Sequence, residues 1–99
     1  MYRITEKQVK CILDKMRNKD IDITIDGSIR INKRINKLEY CMNSGIIKLE
    51  DKDTKEYMIF NLNEAYSTMT NKNKDIIQAN IDSLNNDTIV TIREYKKAE

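Results

Sequence analysis

The chain has no histidine, and its only glycines are Gly27 and Gly45. Histidine-based triads and acid–base pairs are therefore excluded, and no glycine-rich loop can cradle a phosphate. Cys11 and Cys41 stand 30 positions apart without a second pair, so neither a disulfide framework nor a usual zinc site is expected, and both read as free thiols. Asp20, Asp22 and Asp26 invite comparison with a calcium loop, but Ile25 and Ile31 occupy the places where such a loop needs glycine and glutamate. Those aspartates read better as the solvated face of a strand. The remaining carboxylates form no distinguishable pair, so the sequence points away from an enzyme and asks for no cofactor. What stands out is cationic: Arg30, Lys33, Arg34 and Lys37 recur at short spacing, with Tyr40 just beyond and Lys48, Lys52 and Lys55 following. Closely spaced cations of this kind suit phosphate contacts.

Positioning those side chains requires particular elements. If 28–44 is a helix starting at the latest at Asn32, then Ile31, Ile35, Leu38 and Met42 step by 4, 3 and 4 and form one apolar stripe. Arg30, Lys33, Arg34 and Lys37 then project within about 100° of arc, roughly 110° away from that stripe, and Tyr40 lies at the arc's edge. Cations at a helix N-terminus oppose the macrodipole, a conflict that docked phosphates would reverse. Gly45 supplies a left-handed stop. Beyond it, Ile46–Glu50 and Tyr57–Phe60 make a ribbon closed near Lys52-Asp53-Thr54, with Leu49 opposite Tyr57 and Ile47 opposite Ile59 on one buried face. Lys48, Lys52 and Lys55 would then sit on a wing, mixed with Glu50, Asp51, Asp53 and Glu56.

The other elements follow from local signals. Thr5-Glu-Lys-Gln8 is a capping box, and Val9, Ile12, Leu13 and Met16 give a helix over about Glu6 to Asn18. Asp20–Asp26 alternates as a strand. Asp26-Gly27-Ser28 is a turn, after which Ile29 and Ile31 either continue a hairpin, opposite Ile25 and Ile23, or lead into the helix capped by Ser28. Asn61 caps a short helix to about Thr70, Ile77, Ile81 and Leu84 define another, and Thr88–Tyr95 is a β-branched strand. The expected fold is α+β: one domain over 1–99, with helix, strand, helix and β-hairpin in 4–60 and two short helices and a strand in 61–95.

The 99 residues leave room for a single core, and 34% charged with 39% hydrophobic residues suits a soluble globular domain. A net charge of +2 does not by itself argue nucleic acid. No apolar run is long enough for a membrane span and no basic-then-apolar leader is present, so a cytoplasmic address and no membrane partner are expected. Ile, Asn and Lys supply 40 residues, an A- and T-rich codon bias pointing to a low-GC bacterium or its mobile elements, a plasmid or phage.

The order of elements over 4–60, with Leu38, the Gly45-Ile46-Ile47 step and the Leu49–Tyr57 pair, resembles the winged helix-turn-helix family. That resemblance implies double-stranded DNA as partner, the helix bearing Arg30, Lys33, Arg34 and Lys37 in the major groove, and a transcriptional regulator or accessory factor. A homodimer is expected, joined through Asp75–Leu84 and Thr88–Tyr95. The competing expectation is a small inhibitor or adaptor, carried by a phage or plasmid, whose partner is a protein.

Overall fold

The computed structural model describes residues 1–83 and 86–95. It is mostly β. In order come β1 (Tyr2–Arg3), α1 (Glu6–Met16), β2 (Ile21–Asp26), β3 (Arg30–Ile35), β4 (Leu38–Asn43), β5 (Ile46–Asp51), β6 (Tyr57–Asn61), a 3-10 turn (Leu62–Glu64), β7 (Ala65–Thr70), β8 (Ile76–Ser83) and β9 (Asn86–Glu94). A six-stranded sheet runs β1-β7-β8-β9-β2-β3, and a three-stranded sheet runs β4-β5-β6. Every pairing is antiparallel.

The helix-rich winged-helix expectation is overturned, and the physical reason lies in the spacing. A step of four residues returns to the same side of both a helix and a strand. Ile31 and Ile35 share one side of β3, and Leu38 and Met42 share one side of β4, while the intervening step of three is the Asn36-Lys37 turn. Lys37 adopts a positive φ of 50° there, and the chain passes from one sheet to the other. A hairpin forms after Ile21–Asp26 in place of the helix, but two residues out of the expected register: Ile31 lies opposite Ile25 where Ile29 was expected, and Lys33 opposite Ile23 where Ile31 was expected. Of the stretches expected as helices, 61–70 is the end of β6, the 3-10 turn and β7, and 77–83 lies in β8, with Leu84 outside the described residues; Asn61 caps only the 3-10 turn, accepting from the Asn63 amide at 3.0 Å.

Gly45 does take a left-handed φ of 82°, but in the β4–β5 turn beside Ser44 at 52°. Two successive positive φ values match the twist of a tight hairpin. A Cβ on Gly45 would come within 2.7 Å of Asn63 Oδ1, so the close approach adds a second reason for glycine. The β5–β6 ribbon exists, one residue out of the expected register: Leu49 faces Met58 and Ile47 faces Phe60. Tyr57 and Ile59 consequently point outward, 58% and 57% exposed, while Leu49 and Ile47 are buried as expected.

The first helix forms as its capping box dictates, with the Thr5 hydroxyl accepting from the Gln8 amide and the Gln8 side chain from the Thr5 amide. Its buried residues Val9, Ile12, Leu13 and Met16 meet Ile21, Ile23, Ile35, Ile77, Val90 and Ile92 of the large sheet and Leu38, Tyr40, Ile47 and Leu49 of the small one in a single core. The sheet-switching turn is fixed by Asp51, a buried carboxylate that accepts from the amides of Asn36 (3.0 Å), Asp53 (2.8 Å) and Thr54 (3.2 Å).

Candidate ligand-binding face

Because residues directly opposite in an antiparallel ladder share a face, the registers assign the described side chains of the large sheet to one side or the other. The core side carries Ile21, Ile23, Ile35, Ile77, Ala79, Val90 and Ile92. The outer side forms three cross-strand rows. One is Arg34, Asp22, Arg93 and Ile76; the next is Asn32, Thr24, Thr91, Gln78, Met69 and Arg3; the third is Arg30, Asp26, Ile89, Asn80 and Ser67. Tyr95 continues the outer parity of β9 and its amide donates to the Asp20 carbonyl at 2.7 Å. α1 belongs to the core on the opposite side.

Four of the chain's five arginines, Arg3, Arg30, Arg34 and Arg93, fall on this outer side, and no lysine of the described strands does. Lys33, the one lysine on a described strand of this sheet, points to the core side. An open cleft of about 450 Å³ lies on the face, lined by Asp22, Thr24, Arg30, Asn32, Asp75, Ile76, Arg93, Glu94 and Tyr95. Arg34, on the same face, reaches two of the lining residues: its guanidinium lies over the Tyr95 ring, 3.4 Å from its centroid, with Nε 3.3 Å from Asp22 Oδ1. Arg30 and Arg93 make no ion pair among the described residues. The face thus offers two uncommitted guanidiniums in the cleft and a held, stacked one, Arg34, at Tyr95.

Of the cations singled out in the sequence, only Arg30 and Arg34 come together here. Period 2 puts Arg30 and Arg34 on one side of β3 and Lys33 on the other, where Lys33 pairs with Glu56. Lys37, in the turn, lies 3.8 Å from Asp53. On the small sheet Lys48 is 3.3 Å from Glu50 and over the Tyr57 ring, and Lys52 is 3.4 Å from Glu39. Lys55 is exposed in the β5–β6 loop with no ion pair among the described residues. Tyr40 is buried: its hydroxyl donates toward the Asp14 carboxylate and the Lys10 carbonyl, and burial together with that carboxylate pushes its pKa up to about 12. The Tyr40 hydrogen bond in turn holds Asp14 below the ordinary carboxylate value. Tyr40 is therefore a core residue with a satisfied hydroxyl.

Sequence reasoning missed Arg93, Tyr95, Asn32 and Thr24. A signal existed, since Val90 and Ile92 alternate with Thr91, Arg93 and Tyr95, placing those polar side chains on one side of a strand. Both cysteines are free and exposed, and no group of His, Cys, Asp or Glu suited to a metal ion occurs among the described residues. No helix of the described residues is long and apolar enough to cross a membrane. Comparison with protein-family models, with curated proteins and with solved structures finds no match.

Proposed function

We propose that the protein binds single-stranded nucleic acid across the arginine-bearing outer face of its large sheet. The observation that carries this reading is the sorting of cations: a chain with more lysine than arginine uses arginine on that face. Guanidinium groups give planar, bidentate contacts to phosphate and stack on aromatic planes, which an ammonium does not. The Arg34–Tyr95 stack supplies a platform for a base, since unstacked bases pack on aromatic rings and on guanidinium planes alike. Asp22, Thr24 and Asn32 beside it present acceptors and donors to base edges. A face of six strands spans about 24 Å at ~4.8 Å per strand, twice the width of a major groove, so a strand laid over the sheet suits it better than insertion into a duplex.

The test is a titration of labelled single-stranded oligonucleotides at two salt concentrations. Replacing Arg30 and Arg93 together by alanine is expected to weaken binding and lower the salt slope by about 1.4, two phosphate contacts at ~0.7 each. The double lysine variant keeps the charge and loses the fork, so it should recover the slope more fully than the affinity. Equal binding by wild type and the alanine variant removes the face as the site.

A second reading, a small inhibitor or adaptor with a protein partner, draws on a different surface. Ile46, Tyr57 and Ile59 stand exposed on the outer side of the small sheet. Tyr57→Ser separates the two readings, because it leaves the arginine face intact.

A further inference from the structure

The large sheet ends at β3, beyond which no described strand lies. An edge strand carries a row of unpaired N–H and C=O groups, and proteins commonly protect it. Here the edge carries Ile31, 49% exposed, and Ile29, 74% exposed, stands in the bend just before it. We infer that a second copy of this chain pairs antiparallel along β3, with Ile31 of each copy opposite Ile31 of the other on a twofold axis.

The charges on β3 select that register. A twofold axis perpendicular to the sheet keeps each side chain on its own side, so a pairing is named by the residue on the axis. An axis at Arg30, Lys33 or Arg34 sets like charges directly opposite each other. At Asn32 it sets Arg30 opposite Arg34 twice, and at Ile35 it sets Lys33 opposite Lys37 twice. Like charges directly opposite destabilise a ladder. With Ile31 on the axis, Arg30 meets Asn32 and Ile29 meets Lys33, and no two cations face each other. The same register puts the exposed Ile31 of one copy against Ile31 of the other on the core side. Lys33 lies with its ammonium at Glu56, which leaves its stem for Ile29 of the second copy to cover.

The joined sheets would carry both arginine faces on the same side. The pairing itself does not depend on the nucleic-acid reading, and its test uses no nucleic acid. It replaces the contact expected through 75–84 and 88–95, because β8 and β9 are interior strands with ladder partners on both sides.

In a chain whose own exposed thiols are removed by Cys11→Ser and Cys41→Ser, Ile31→Cys is expected to form a disulfide-linked dimer on mild oxidation, since paired residues lie within disulfide reach. Ile29→Cys alone should not, because the two copies of residue 29 would be four residues out of register, about 13 Å apart. Ile29→Cys combined with Lys33→Cys should cross-link again. Sedimentation of the unmodified chain should give a dimer that Ile31→Lys dissociates, and Ile31 is exposed enough for that variant to fold. A chain that stays monomeric to about 1 mM, or an Ile29→Cys variant that cross-links as readily as Ile31→Cys, overturns the inference.

Discussion

Asp51 shows how one side chain can set the path of several elements. Its carboxylate collects the amides of Asn36, Asp53 and Thr54, joining the turn where the chain changes sheets to the loop between β5 and β6. The bond from the Asn36 amide, followed by those from Asp53 and Thr54 and the charge of Lys33, holds its carboxyl below the ordinary aspartate value against the opposing effect of burial. The direction fixes the pH dependence. A carboxyl whose folded pKa lies below its unfolded one contributes stability that is present above about pH 4 and lost as pH falls through the folded value. Asp51→Asn should therefore lower stability at neutral pH by on the order of 2 kcal/mol, through loss of charge-assisted bonds to amides, and should flatten the acid limb of the stability curve. Urea titrations of both proteins at neutral pH and near pH 3 check this. Coinciding neutral-pH midpoints would mean that the three bonds contribute nothing net. Sequence alone does not reveal this role, because Asp51 sits among Glu50, Lys52 and Asp53 and reads as one more charge of a solvated loop.

Elements whose signals are local were legible; those fixed by distant partners were not. α1 carries its own capping box and an apolar stripe that no strand period reproduces, and it forms over Glu6–Met16. β2 and β9 announce themselves by alternation and β-branching. For β3 and β4 the apolar steps of four fit both periods; the Asp26-Gly27-Ser28 turn left a hairpin open for β3, and periodicity alone did not choose between that ladder and a helix. The candidate site shares that fate. Arg30 and Arg34 were found, but the helical period joined them to Lys33 and Lys37 instead of to Arg93 and Tyr95, which reach them only across β2 and β9. In the β5–β6 ribbon a one-residue difference in the loop exchanged inside for outside along β6. The two registers give opposite mutational patterns. Leu49→Ala should cost about 2 to 5 kcal/mol, as for a buried leucine, while Tyr57→Ser should stay within about 0.5 kcal/mol. Denaturant midpoints measure both, and a Tyr57→Ser loss comparable with that of Leu49→Ala would restore the rejected register.

At the scale of the molecule, the chain closes its large sheet with its most distant segments. β1 lies against β7, pairing Tyr2 with Thr70, and β2 lies between β3 and β9, pairing Ile21 with both Ile35 and Glu94. The core that these pairings enclose is continuous through α1 to the small sheet, so neither sheet has an apolar side complete without the other. Unfolding should accordingly be a single cooperative transition seen alike by far-ultraviolet dichroism and by tyrosine fluorescence. Folding must meet the entropy of closing long loops before the β2–β9 and β1–β7 ladders return anything, which places it in the millisecond-to-second range of β-rich, non-local topologies. The chain contains no proline, so the slow phase of about 10 to 100 s that prolyl isomerisation imposes has no source here. Stopped-flow refolding from urea should show one dominant exponential that a prolyl isomerase leaves unchanged. A major phase slower than about 10 s would instead point to a step after the sheets form. Concentration dependence of that phase would place it in the pairing of two copies along β3.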